Sequence, residues 1–572
     1  MEQASNQKGH PKGLWFLFGT EMWERFGYYL MLGIFSLYML DGWNNGGMGF
    51  KPQQKSDIYG TYLGLVYLTP FIGGLIADRI LGYRRSIVIG GLMMAAGYFL
   101  LSVHSISTFY IALLLIILGN GFFKPNISTL VGNLYSGEDM KHMKDSGYNI
   151  FYMGINVGAF ICNFVAAYMR INYGWGHAFA AAGVGMLVGV VIFLMGTKHI
   201  KHVDVVKPLR EGDMSTGKIL GLTVLPMFIF GVIGYIIPGN FLGSDTNDAF
   251  IIGCLPVIGF FIYLAFKAEA KESRAIKALL AVFTCVILFF AIFHQNGDAL
   301  TVWAEDHTDR KMPDAISSTA NNLGMAQVVV NNDIVSADKE TFEGTINGMR
   351  EEEKAMPSET KEQLQARAEL SNKISQLEKS RKYFETLPGD QIPPKGQDLK
   401  LYSTELYQSI NPFWVVVLTP LVVGIFGMLR KRKREPSTPT KIAIGLVITA
   451  LSALVMVGAV LSTNGLSIKA GSMWLLASYG VITIGELCLS PMGLSLVSKL
   501  SPPRITALMM GGFFLAISVG NKLSGMLSSL WETTEHKQNF FLLNSALVMA
   551  AAILLFAMLK WLNSVMRENN VQ

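Results

Sequence analysis

Apolar stretches of about 20 residues recur almost from end to end of this chain, each long enough to cross a hydrocarbon layer about 30 Å thick. Such a chain folds as membrane-spanning helices, because in lipid every backbone amide must be satisfied within its own segment. Spans are expected near 14–40, 58–80, 86–104, 107–131, 147–169, 175–196, 217–237, 248–267, 276–303, 411–429, 441–463, 472–499, 504–530 and 538–563. None alternates apolar and polar residues as a membrane β-strand does, so the expected class is all-α, with about fourteen spans. Composition agrees: 51% of the 572 residues are hydrophobic and 15% charged.

Basic residues fix the expected orientation. Arg79, Arg84 and Arg85 follow span two, and Lys198, Lys201, Lys207 and Arg210 follow span six. Lys267, Lys271, Arg274 and Lys277 precede span nine, and Arg430 to Arg434 follow span ten. All fall on one side when both termini are inside, and the positive-inside rule makes that side cytoplasmic. The net charge of +6 therefore reflects topology and gives no reason to expect nucleic-acid binding. The polar start MEQASNQKGHPKG lacks the apolar core and small-residue cleavage site of a removed signal, so the first helix is expected to stay. Cys162, Cys254, Cys285 and Cys488 all fall within spans and read as small buried apolar residues, with neither disulfides nor a metal site expected.

Residues 304–410 break the membrane pattern and fall on the outer face. Leu364, Ala368, Leu370, Ile374 and Leu377 give part of an apolar stripe at helical spacing, so one helix or a helical hairpin is expected there. A polar segment of this length inside a membrane domain reads either as a cap that docks a periplasmic partner or as a tolerated surface insertion.

Charges inside the spans are the functional signal, since an ionisable group near a bilayer centre is costly. Span one carries Glu21, Glu24 and Arg25, followed by Tyr28 and Tyr29. The three charges are spaced i, i+3 and i+4 and share one helical face. Span four carries Lys124 followed by Pro125, span five Asn156, span nine His294, Gln295, Asn296 and Asp298, and span twelve Glu486. With His294 neutral, the carboxylates Glu21, Glu24 and Glu486 outnumber Arg25 and Lys124 by one. A surplus negative charge in a low-dielectric cavity is eased by one bound proton or cation, which is the charge logic of a proton-coupled carrier.

The run Glu21, Glu24, Arg25, Phe26, Tyr28, Tyr29 resembles the ExxER signature of the proton-dependent oligopeptide transporter (POT/PTR) family, bacterial type, within the major facilitator superfamily. GGLIADRILGYRRSI resembles the superfamily's loop between helices two and three. GFFKPNISTLVGNLY, FYMGINVG, NPFWVVVLTP, GELCLSPMGLSLVSKLSPPR and MMGGFFLAISVGNKLSG resemble further family blocks in order and spacing. The likeness spans nearly the whole chain outside 304–410. It implies two six-helix bundles plus two extra helices. Residues 1–200 would form the first bundle and 201–270 a cytoplasmic linker with the two added spans. Residues 271–303 would then give the first helix of the second bundle, 304–410 the partly helical periplasmic insert, and 411–572 the rest.

The resemblance also implies roles. Glu21 and Glu24 would be proton sites and Arg25 the cation that tunes them. Lys124 would pair with those carboxylates and receive a peptide C-terminal carboxylate. Glu486 and Asn156, with Asn411, would take the peptide amine, and Tyr28, Tyr29 and Tyr67 would line the cavity. Two positions depart from the family pattern. Leu32 stands where many peptide-transporting members have an arginine. His294 stands where an acid usually precedes the Gln-x-Gly turn, and as a group of ordinary pKa ~6.5 it is a further proton-coupling candidate.

The implied activity is proton-coupled symport of di- and tripeptides by alternating access in a bacterial inner membrane, by a monomer embedded in the bilayer. The residues leave open a non-peptide cargo on the same fold, such as a nitrate-like anion, and a non-transporting receptor. Nothing resembles a nucleophile–base pair, metal-ligand spacing or a phosphate-binding loop, so no enzymatic activity, cofactor or metal is expected.

Overall fold

The computed structural model describes residues 9–137, 140, 143–204, 215–357, 360–502 and 505–569. Lys207, Arg210 and Arg504, which entered the topology and motif arguments, lie outside the described residues, as do the side chains of Leu364 and Ala368.

The first bundle is formed by α1 (Lys12–Leu40), α2 (Pro52–Ile76), α3 (Tyr83–Leu101), α4 (Ile106–Leu134), α5 (Lys144–Tyr173) and α6 (Trp175–Ile200). Between the bundles come α7 (Thr216–Leu222), α8 (Val224–Ile236) and α9 (Asp245–Lys267). The second bundle opens with α10 (Ala270–Phe293), which passes through a tight turn at His294–Gly297 into α11 (Ala299–Asp306). It is completed by α15 (Ile410–Lys431), α16 (Thr438–Ser462), α17 (Ser472–Leu500), α18 (Thr506–Thr533) and α19 (Lys537–Glu568). Twelve of these helical segments meet the length and hydropathy of a membrane span. Large side chains such as Met195 (65% exposed), Phe228 (69%) and Phe266 (73%) face outward, where a lipid contact costs nothing.

Several boundaries differ from the expected ones; span two, for instance, begins at Pro52 and not at 58. The seventh span, expected as one helix over 217–237, is broken at Thr223 into α7 and α8. The ninth extends past 303 to Asp306, because Leu300, Trp303 and Ala304 bury against Trp531, Phe540 and Phe541 of the second bundle.

The insert is more than a helical hairpin. It contains α12 (Asp314–Asn322), α13 (Lys339–Ala355) and α14 (Lys361–Glu385), together with short strands. These are β1 (Thr308–Asp309), β2 (Ala326–Val330) and β3 (Asp398–Tyr402), and a fourth, β4 (Ala470–Gly471), lies in the second bundle. β2 and β3 pair antiparallel, Ala326 opposite Tyr402. Helix α13 starts on an Asp338 cap and α14 on a reciprocal Thr360–Gln363 capping box, which satisfies amides that a helix start leaves open. Ile374 and Leu377 of the expected stripe bury with Val329, Phe342 and Leu401 into a core of the insert's own.

Candidate functional site

The amino-terminal charges are all buried on α1. Arg25 donates through Nη2 to Glu24 Oε1 at 2.6 Å and through Nε to Glu24 Oε2. Its Nε also lies 3.3 Å from Glu21 Oε1, an i,i+4 neighbour. Glu21 Oε2 has no hydrogen-bond partner among the described residues. The guanidinium sits 4.9 Å from the Tyr28 ring centroid and 6.0 Å from that of Tyr29. One arginine therefore neutralises the better part of two carboxylates, and anything that draws it away leaves a buried negative charge that favours a proton.

A second group is built on α2, α4 and the turn after α10. Gly73 and Gly121 bring α2 and α4 so close that a methyl on Gly73 would collide with the Gly121 carbonyl. Asn120 Nδ2 donates to Val66 O at 2.9 Å and Thr69 Oγ1 to Ile117 O at 2.9 Å. One turn beyond Asn120, Lys124 Nζ lies 4.3 Å from the centroid of the Tyr67 ring. Among the described residues it makes no ion pair within 4.0 Å, so both α1 carboxylates are held by Arg25 instead. Tyr67 also meets the His294 ring edge-on at 5.6 Å, and Phe290 stacks on His294 at 5.5 Å. His294 Nδ1 has no hydrogen-bond partner among the described residues.

The third group lies in the second bundle, where Asn411 Nδ2 donates to Glu486 Oε2 at 3.2 Å and to Thr483 Oγ1 at 2.9 Å. Asn156 stands apart: its Nδ2 donates at 3.1 Å to Tyr152 O on its own helix. Leu32 packs against the apolar core of the first bundle.

Several ion pairs across the bundle interface escaped the reading by spans. Lys55 of α2 pairs with Asp298, whose Oδ1 also accepts from Ser36 at 3.4 Å. Lys522 of α18 donates to Asp57 Oδ1 at 2.5 Å and Thr61 Oγ1 at 2.6 Å. Arg170 of α5 pairs with Glu405. Asp298 showed as a charge of span nine and Lys522 lies within an apolar run, whereas Lys55 and Asp57 precede the expected start of span two and read as loop. These three pairs lie toward the face that carries the insert.

Comparison with known proteins agrees with this architecture. The chain is 29% identical over 564 residues to the di-/tripeptide transporter of Lactococcus lactis subsp. lactis (strain IL1403), covering 96% of each protein. It is 29% identical over 541 residues to the peptide transporter YePEPT of Yersinia enterocolitica, covering 91% of this chain and 88% of the relative. A crystal structure of peptide transporter POT in complex with sulfate superposes with a TM-score of 0.73 at 26% identity, over 98% of this chain and 96% of that one. The POT family model matches residues 84–329 and 401–556, well over half of the sequence, and the chain belongs to the POT family.

Proposed function

We propose that this protein is a proton-coupled symporter that imports di- and tripeptides, acting as a monomer in a bacterial inner membrane with its termini cytoplasmic and its insert periplasmic. One observation carries the reading. The cations Arg25 and Lys124 belong to the first bundle, and the carboxylate Glu486, steadied by Asn411, belongs to the second. A small zwitterion with its carboxylate toward Lys124 and its amine toward Glu486 satisfies both bundles at once. Relatives named as di- and tripeptide transporters support the same cargo.

Lys124 is poised for this role because its ammonium rests on an aromatic face and not on a carboxylate. A peptide carboxylate arriving between Lys124 and Arg25 competes with Glu24 and Glu21 for the guanidinium, and the carboxylate released takes a proton. Proton entry then drives the cycle, with about 2.3 kcal/mol per charge for each 100 mV and about 1.4 kcal/mol for each tenfold proton gradient. The bundles are clasped at the insert face, so the state described is closed there, and alternating access requires those pairs to part.

Proteoliposomes loaded with this protein and offered labelled dialanine test the proposal. Accumulation that needs an inward proton gradient and disappears in Glu24→Gln supports symport with coupling on α1. Folded protein that takes up no peptide refutes the cargo, and Leu32→Arg with His294→Glu then tests whether those two positions redirected it.

A further inference from the structure

The insert touches both bundles, and it touches them differently. On the second bundle its attachment is continuous. Strand β1 pairs in parallel with β4, Thr308 opposite Ala470. Lys469 N donates to Thr386 O at 2.9 Å. Ser472 Oγ donates to Asp309 O at 2.7 Å, and Lys382 pairs with Asp306 at 2.6 Å. Both ends of the insert also run straight into helices of that bundle.

Apart from its last residues, where Ser403 and Glu405 bond Arg170 and Ser409 bonds Asn163, the insert meets the first bundle through sparse polar contacts. Ser371 Oγ of α14 donates to Asn44 O at 2.7 Å, and Lys379 Nζ lies 3.4 Å from Asp41 Oδ2. At the far end of α12, Asn172 Nδ2 donates to Gly324 O at 2.9 Å. Between α13, α14 and the 42–45 loop the seam borders a half-open polar cleft of about 240 Å³, lined by Trp43, Asn44, Arg350, Glu353 and Ser371 among others. Its lining is mostly polar, unlike the apolar core of a permanent interface. The Asp41 carboxylate holds Lys379, the Asn45 side-chain amide at 2.9 Å, the Gly42 backbone N–H at 3.0 Å and the Trp175 indole at 3.0 Å. The Arg170 guanidinium rests 5.1 Å from the Trp175 ring and pairs with Glu405. The seam under the insert and the clasp between the bundles are therefore one connected set of contacts.

We propose that the insert is a strap: carried rigidly by the second bundle, it closes over the 41–45 loop of the first and leaves that loop each time the insert face opens. It adds to the closed state contacts that the bundles alone do not have, while its weak polar character on one side keeps the closure reversible. The proposal rests on the alternating-access reading above. It gives the polar segment an intramolecular partner.

Spin labels decide it directly. Lys373 of the insert, Ser462 of the second bundle and Ser107 of the first are exposed, and the four native cysteines are buried. Cysteine pairs are labelled at Lys373 with Ser462 and at Lys373 with Ser107, in full-length protein with and without dialanine across a pH series. The strap predicts one fixed distance for the first pair and a second, longer distance for the other. A Lys373–Ser107 distance that stays single while the bundles move, or a Lys373–Ser462 distance that changes with them, overturns it. In vesicles, Asn44→Cys combined with Ser371→Cys should lose peptide uptake on oxidation and regain it on reduction. Full uptake by protein shown by mass spectrometry to be cross-linked overturns the strap. Absence of uptake in reduced protein and wild type alike counts against the transport reading instead, and the distances still decide the strap.

Discussion

Arg170 of α5 and Glu405, at the foot of α15, form a forked ion pair across the bundle interface. Nε reaches Oε1 at 2.8 Å and Nη2 reaches Oε2 at 2.8 Å, with Ser403 Oγ accepting a further bond from Nη2. Glu405 is fully buried and Arg170 nearly so. Removing one member of a buried pair strands the other charge, at a cost of about 3–5 kcal/mol. Glu405→Gln is expected to lower thermal stability in detergent and to populate the form open at the insert face. The double variant Arg170→Met with Glu405→Leu should be less damaged than either single change implies, which a double-mutant cycle on melting curves measures.

The α1 carboxylates should separate coupling from binding. Glu24→Gln removes the forked partner of Arg25 and is expected to abolish gradient-driven accumulation while leaving peptide exchange between pre-loaded vesicles and medium. Glu21→Gln, which loses only the longer 3.3 Å contact, should impair accumulation less. Counterflow and uphill uptake, assayed on the same vesicle batches, distinguish the two.

Peptide termini should report which bundle each end touches. A hydrogen bond to a charged group is worth about 1.5–3 kcal/mol, so Lys124→Gln is expected to raise KM for dialanine about tenfold or more. The same change should matter little for dialanine amide, which has no terminal carboxylate. Glu486→Gln should show the complementary pattern, weak for N-acetyl-dialanine and strong for dialanine. If both variants treat the blocked and free peptides alike, the assignment of ends fails.

Lys469 gives the insert anchor a pH dependence. Burial, reinforced by the nearby Arg310 charge, pulls its ammonium down to about 8 from an ordinary 10.5. The folded state thus favours the neutral amine. Below about pH 8 the buried charge costs stability, and that cost fades as pH rises toward 10.5. Thermal unfolding of wild type should gain stability between pH 8 and 10 relative to Lys469→Met. Parallel curves for the two proteins across that range would refute the assignment.

What could be read from the chain was whatever the bilayer imposes locally. Crossing hydrocarbon demands a continuous apolar helix, so the spans, the buried charges of α1 and the family blocks are legible residue by residue. The insert was harder: its helical stripe showed, but β2 and β3 are five residues each and lie on opposite sides of two helices. Strands that short carry little pattern until they pair.

The sequence by itself therefore determined a helical membrane carrier with ionisable groups at defined points on α1, α4 and α17. Tertiary structure alone decided which charges meet. It gave Arg25 to both α1 carboxylates, set Lys124 on Tyr67, and joined Lys55 to Asp298 and Asp57 to Lys522. It also laid the insert across the seam between the bundles. The Lys55–Asp298 and Asp57–Lys522 pairs join residues hundreds of positions apart in separate bundles, and their geometry is fixed by how helices pack, which local hydropathy does not encode.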